Sequence, residues 1–299
     1  MKYLGNQSHY TCRRNFYEWW YFDFITDRGD FFNLILHETD IFGVKHEPYY
    51  SLSCLLDNKK YYLKTERDLV IEKKGKYLAT KNKEIVENAR FVKVGLTFQE
   101  GNTLKIKINK KNPPTPVANG RLYGTKLGFG KWTPAIIGER FNGILKLSGK
   151  KHNVRGIAYH DHQWGDLPVY KYVKDWVWGH FHHEETSVVF FIIKSNSNKV
   201  ILRYYFAIKN GQYESGTSGI RTDILETISK LESVIKKGMR FNLEINGHNL
   251  KGSIDPDNLI RSHIDEKIKN KKYSYFRWRC DGLIDNSSCT GVLEYMRFR

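Results

Sequence analysis

The chain has 299 residues, and its 49 lysines and arginines against 32 acidic residues leave a formal charge of +17. With 7 Trp, 19 Tyr and 17 Phe it is far too aromatic for a disordered chain, and its length suits two domains or one large β architecture. Residues 1–14 lack the apolar run of roughly 7 to 15 residues that a signal peptide needs, and nowhere do about 18 apolar residues follow one another, which predicts a cytosolic protein.

Most of the chain alternates apolar and polar residues between Gly, Asn and Asp turns, the period-2 signal of half-buried antiparallel strands. In chain order, strands are predicted at 61–63, 69–72, 91–98, 104–108, 141–147, 188–193, 200–207, 241–245 and 292–298. The stretch 110–130, with Pro113, Pro114, Pro116 and repeated Gly, predicts a long loop or lid rather than a central strand. One helix is predicted at 223–237, where Ile224, Leu225, Ile228, Leu231, Val234 and Ile235 fall on one stripe. Asp223 with Glu226 resembles a capping box, and Gly238 suits the C-terminal cap. Residues 253–272 show no clean period and predict a loop or short helix. No sequence repeat is evident. Many short strands around one helix suggest barrels or sandwiches.

Two segments concentrate chemically capable side chains. In Glu18-Trp19-Trp20-Tyr21-Phe22-Asp23-Phe24, strand geometry sets Glu18, Trp20 and Phe22 on one face and Trp19, Tyr21 and Asp23 on the other. Burying an unpaired carboxylate costs several kcal/mol, so Glu18 must find donors or titrate. The second segment runs from Gly156 to Asp166 and holds Asp161 between His160 and His162, with Tyr159 on the face of Asp161 and Trp164 close by. An aspartate desolvated among aromatic rings titrates high, and a carboxylic acid still protonated near neutrality can protonate a weak base. The alternative for the same residues is a buried hydrogen-bond cluster that links strand to loop.

A third cluster, Trp176-Val177-Trp178-Gly179-His180-Phe181-His182, points His180 and His182 the same way, as His160 and His162 point together. Two such pairs would make a metal site if they met, but hydrogen-bonded pocket histidines are the expectation, and no metal is predicted. Cys12, Cys54, Cys280 and Cys289 form no CxxC pair and are read as reduced thiols. GxGxxG, Walker A and GxSxG motifs are missing from the sequence, so nucleotide and acyl-serine chemistry lose support and no cofactor is expected. The charge favours an anionic partner, yet its lysine runs sit among Asn, Gly and Asp as loop lysines do. A solvated basic surface is the first expectation and peripheral contact with an anionic membrane the second. No nucleic-acid motif accompanies the charge, and no nucleic-acid partner is expected.

The EWWYF element at Glu18 to Phe22 and the GxxYHDHxWG element at Gly156 to Gly165 resemble those of the carotenoid 1,2-hydratase (hydroxyneurosporene synthase) and AttH-like family. Trp132 and Pro134, upstream of Asp161, and the closing Gly291-Val292-Leu293-Glu294 add to the likeness. Where relatives carry His beside that tryptophan, this chain has Gly130-Lys131-Trp132, a departure that bears on substrate or chemistry. The resemblance implies a mostly β fold of two tandem lipocalin-like antiparallel β-barrel or sandwich domains, joined near Trp164 and divided as 1–165 and 166–299, with the packing helix in the second. It also implies activity on hydrophobic molecules: addition of water to isoprenoid double bonds, or ring-forming pericyclic reactions.

From these residues the leading expectation is a cofactor-independent hydratase. Protonating a substituted alkene gives a tertiary cation, so the site needs a positioned acid, an aromatic lining and one admitted water. Asp161 is the expected acid, assisted by Tyr159, His160 and Trp132. Glu18, Trp19, Tyr21, His162, Trp164, Trp176, Trp178 and His180 are the expected substrate contacts, with His160 and His162 orienting Asp161. The alternatives are a cyclase or pericyclase that folds a polyene in the same aromatic pocket, and a lipocalin-like carrier of a hydrophobic ligand without chemistry.

Overall fold

A computed structural model describes residues 8–9, 16–39, 48–65, 71–72, 77–111, 121–125, 128–166, 169–222, 224, 228, 234, 237–268 and 271–299. The chain divides into two units, Met1–Pro168 and Val169–Arg299, each built on one antiparallel sheet.

The first unit contains β1 (Tyr17–Thr26), β2 (Phe31–Thr39), β3 (Tyr49–Leu56), β4 (Lys59–Thr65), β5 (Ile85–Glu87), β6 (Phe91–Thr97), β7 (Thr103–Asn109), β8 (Arg121–Thr125), β9 (Gly128–Leu147) and β10 (Lys150–Gly165). The second contains a short helix α1 (Val169–Tyr172), then β11 (Val173–His183), β12 (Thr186–Ser195), β13 (Val200–Lys209), β14 (Gln212–Gly216), β15 (Ile220–Thr222), β16 (Met239–Ile245), β17 (His248–Ile268), β18 (Lys271–Ile284) and β19 (Ser287–Phe298). The sheet orders are β4-β3-β2-β1-β10-β9-β7-β6-β5, with β8 paired to β9, and β14-β13-β12-β11-β19-β18-β17-β16-β15. Apart from β8 the two orders are the same: the first strand of each unit lies beside its last. The sequence shows no repeat, yet the topology is one.

Each sheet curls around its own core. In the first, Trp20, Phe22 and Phe24 of β1 join one cluster with Leu52 of β3 and with Val92, Val94, Leu104 and Ile106 of β6 and β7, so strands far apart along the sheet meet across its interior. In the second, Val177, Phe181, Phe190, Ile192, Phe241, Leu243, Trp278 and Leu293 do the same. Tight turns close the hairpins. Asp57-Asn58, Asn246-Gly247 and Asp285-Asn286 each form a two-residue loop with both φ positive, the geometry whose twist matches the flanking strands and which Asn and Gly adopt at least cost.

The predicted strands lie in β4, β6, β7, β9, β12, β13, β16 and β19. For 69–72, Ile71 makes an isolated bridge to Thr80, and residues 69–70 lie outside the described residues. Within the predicted helix, residues 224, 228, 234 and 237 are helical. Ile224, Ile228 and Val234 join the core, and the N–H of Gly238, at φ +69°, bonds the carbonyl of Val234 at 2.9 Å. The rest of that helix, including Leu225, Leu231 and Ile235, lies outside the described residues.

Two expectations are corrected. Residues 253–272 are strand, not loop or helix: β17 and β18 occupy nearly all of them. Register shifts between Ile254 and Leu259, Leu259 and Arg261, and His263 and Glu266 break the period of two that would have marked a strand. The stretch 110–130 is partly strand as well, since it holds β8 and the start of β9. Its prolines, Pro113, Pro114 and Pro116, lie outside the described residues.

Cys54, Cys280 and Cys289 are free and buried; Cys12 lies outside the described residues. Burial pushes the thiols of Cys54 and Cys280 far above their ordinary range and that of Cys289 up to about 12, so all three are protonated and unreactive. Among the described residues, no helix is long and apolar enough to cross a membrane.

Candidate active site

All ten residues of β1 are buried, so the face of its sheet that turns away from the core is closed off too. Acidic residues gather on that second face. β1 and β10 pair with Tyr21 opposite Asp161 and Asp23 opposite Tyr159. Each strand makes the same short step: the Tyr21 hydroxyl donates to Asp23 Oδ2 at 2.8 Å, and the Tyr159 hydroxyl donates to Asp161 Oδ2 at 2.9 Å. Two tyrosines and two aspartates therefore alternate at the corners of a square. The indole Nε1 of Trp132 on β9 completes the site by donating to Asp161 Oδ2 at 2.9 Å.

β9 reaches Asp161 through two irregularities. Asp161 pairs with Pro134 while His160 pairs with Ile136, and Tyr159 pairs with Ile137 while Ala158 pairs with Glu139, which leaves Ala135 and Gly138 as extra residues. Pro134 has no N–H to give the ladder, so a bulge beside it costs little. Gly138 has φ +72°, a region that a side chain would strain. These bulges bend β9 and aim Trp132 at the carboxylate.

Glu18, His160, His162 and Trp164 lie on the opposite face. Strand alternation sends them to the core side, where His160 stacks on Phe22 with ring centroids 3.7 Å apart, and His162 stacks between Trp20 at 4.4 Å and Trp164 at 4.6 Å. The expectation that His160 and His162 orient Asp161 is corrected for this reason. His160 Nδ1 donates instead to the carbonyl of Tyr21 at 2.7 Å, and His162 Nε2 donates to Glu18 Oε1 at 2.8 Å. Desolvation lowers both pKa values well below the ordinary histidine range, so both rings are neutral. Glu18 finds its donors: besides His162, the backbone N–H of His9 reaches Oε1 at 2.6 Å and the Ser8 hydroxyl reaches Oε2 at 3.1 Å. His9 also stacks on Trp164 at 4.2 Å, so Glu18 ties residues 8–9 to the sheet.

Trp176, Trp178 and His180 belong to the second unit. On β11 they face away from the core that Val177 and Phe181 enter. Trp176 Nε1 donates to Glu294 Oε1 at 3.1 Å, and the other oxygen of Glu294 receives the Tyr275 hydroxyl at 2.6 Å and Arg277 Nη2 at 2.6 Å. His180 Nδ1 lies 2.7 Å from His182 Nε2, and His182 Nδ1 lies 2.8 Å from the Ser187 hydroxyl. Burial, helped by the neighbouring His180, lowers the His182 pKa well below its ordinary value. The two pairs thus lie in different units: His180 and His182 bond each other, whereas His160 and His162 bond the Tyr21 carbonyl and Glu18. Among the described residues, no group of three or more His, Cys, Asp and Glu side chains is disposed to hold a metal ion.

Of the predicted site residues, β1, β9 and β10 bring together Trp132, Tyr159, Asp161, Tyr21 and, further along the same face, Trp19. Asp23, which strand alternation set on the face of Tyr21 but which was not among the predicted site residues, shares this square. Asn33, Ser51 and Ser53 occupy the same face of β2 and β3 and are buried. The only trace of Asn33 in the sequence is a polar residue interrupting the apolar run 31–36.

No protein-family model and no curated protein matches the chain. Solved structures do. A Nitrosomonas europaea protein described as an AttH superposes with a TM-score of 0.67 at 14% identity, over 99% of this chain and 96% of that one. Kievitone hydratase from Nectria haematococca gives 0.60 at 14% identity, over 94% and 88%. CghA, solved with Sch210972, gives 0.63 at 9% identity, over 98% and 94%. At these identities the likeness establishes the fold, over both units.

Proposed function

We propose that this protein is a cofactor-independent hydratase that adds water to a C=C bond of a hydrophobic, isoprenoid-type small molecule, with Asp161 as the acid. The observation that carries this reading is the pair of 2.9 Å bonds from Trp132 and Tyr159 to a single oxygen, Asp161 Oδ2. A proton on Oδ1 then leaves both bonds intact, and the same two donors steady the carboxylate once the proton has gone. Asp161 is 2% exposed, with the side chains of Trp132 and Tyr159 against it.

In the proposed reaction the alkene π pair takes the proton from Asp161 and forms a new C–H bond, which leaves a tertiary cation. The ring faces of Tyr21, Tyr159 and Trp19 are suited to stabilise that charge. Water adds through oxygen and returns a proton to Asp161, so the acid is regenerated. No electrons are exchanged, and the chemistry needs no redox cofactor. The hydratase name of one structural neighbour and the bound small molecule of another support a small-molecule substrate. The +17 charge further suggests collection of that substrate at an anionic membrane surface.

The test is incubation with isoprenoid alkenes in deuterated water: one carbon-bound deuterium and one hydroxyl per product are expected. Cyclised product without deuterium would favour the cyclase reading instead.

A further inference from the structure

On the face that carries Asp161, a polar row crosses four adjacent strands: Tyr159 on β10, Asp23 on β1, Asn33 on β2 and Ser53 on β3, each directly opposite the next. Their sequence neighbours Phe32, Leu34, Leu52 and Cys54 enter the core, so alternation fixes Asn33 and Ser53 on the other side. Asn33 is 0% exposed and Ser53 is 3% exposed. Neither end of the Asn33 amide, nor the Ser53 hydroxyl, has a hydrogen-bonding partner among the described residues. Such groups are uncommon in folded proteins, because each has lost its bonds to water and gained nothing in exchange. The neighbouring Asp23, by contrast, is bonded by Tyr21.

We propose that Asn33 and Ser53 are specificity residues that bind a hydroxyl or carbonyl oxygen of the substrate, at a set distance from the carbon that Asp161 protonates. The inference rests on Asp161 marking the active face, as proposed above. Asn33 lies two strands and two residues from Asp161, and Ser53 one strand further. At about 4.8 Å per strand and about 3.3 Å per residue, the separations are roughly 12 Å and roughly 16 Å. The amide of Asn33 both donates and accepts, and so does the hydroxyl of Ser53. A substrate hydroxyl can use both functions, whereas a pure hydrocarbon leaves them unmatched. The substrate class is therefore an elongated, apolar molecule with a double bond toward one end and an oxygen toward the other.

Farnesol and its hydrocarbon counterpart farnesene are suitable probes, with binding to the full chain read by tryptophan fluorescence. Farnesol should bind roughly threefold to tenfold more tightly than farnesene, the factor expected of one net hydrogen bond. Asn33→Leu should erase that preference, leave farnesene affinity intact or improved, and keep or raise the melting temperature of the ligand-free protein, because it removes an unmatched amide. Ser53→Ala, a smaller change, should reduce the same preference. Equal binding of the two probes, binding of neither, an unchanged preference in both variants, or a lowered melting temperature in Asn33→Leu would each overturn the inference. The readout is independent of proton transfer. A farnesol preference that survives in Asp161→Asn, beside a failed hydration assay, would sink the proposed reaction and keep this inference.

Discussion

Asp161 and Glu294 hold corresponding places in the two units: each lies on the last strand of its sheet, beside the first strand, and faces away from its own core. Each accepts bonds from one indole and one tyrosine hydroxyl. Glu294 is also bonded by the guanidinium of Arg277, whose side chain is 3% exposed, in a buried ion pair. The two donors on Asp161 Oδ2 are both neutral. The same topological position thus carries a structural ion pair in one unit and the proposed acid in the other.

Asp161→Asn keeps the shape of the side chain and an oxygen that Trp132 and Tyr159 can bond. The fold should persist, with near-unchanged circular dichroism, while turnover falls by roughly 10² to 10⁴, the usual contribution of general acid catalysis. Full activity in this variant would assign the proton to another group.

Glu294→Gln should have the opposite profile. It leaves Arg277 without its carboxylate, and breaking a buried ion pair from one side costs about 3 to 5 kcal/mol. The urea midpoint should drop accordingly. A midpoint within error of the parent would mean that the remaining bonds around Arg277 carry the structure.

Acid should destabilise the protein before its carboxylates titrate. His160, His162 and His182 have folded pKa values well below the ordinary 6.5, chiefly through desolvation. Above that value the rings are neutral in both states and contribute no pH dependence. Below it the unfolded chain binds protons that the folded chain refuses, so stability is lost as pH falls, by about 1.4 kcal/mol per pH unit for each ring. Urea midpoints measured between about pH 7 and about pH 5 should decline, and His182→Gln should flatten the slope by one ring's share. A flat profile would show that these rings are charged in the folded protein.

The legibility of the sequence follows burial. β6 and β7 alternate buried and exposed residues and are plain in the sequence. β1 is buried on both faces, so its aromatic motif identified the strand while alternation could not say which face held the chemistry. His160, Asp161 and His162 are adjacent in sequence, and adjacency suggested one cluster. A strand separates them: the histidines turn to the core and the aspartate turns away. Asn33 and Ser53 were illegible because a polar position in an alternating strand reads as solvent-facing, and only the structure shows that their face is closed. β17 stayed hidden behind its register shifts. Glu294 belonged to a recognised closing motif, but its partner Arg277 comes from another strand, and no local pattern joins them.

The basic charge has a focus that the lysine runs did not reveal. Lys93 of β6 lies directly opposite Lys107 of β7, and Lys105, Lys146 and Lys151 share the same exposed outer face of the sheet. Like charges placed opposite each other on a sheet are unfavourable, so a polyanionic surface against this face would relieve a standing repulsion. Each lysine near an anionic bilayer contributes about 1 kcal/mol. Co-sedimentation with anionic vesicles should therefore exceed that with neutral ones and weaken as salt shortens the Debye length. Replacing Lys93, Lys105 and Lys107 together by Gln should weaken binding by about 3 kcal/mol, more than a hundredfold in affinity. Equal recovery in the supernatant with either lipid would leave the charge a solubility feature and direct the substrate search to water-soluble molecules.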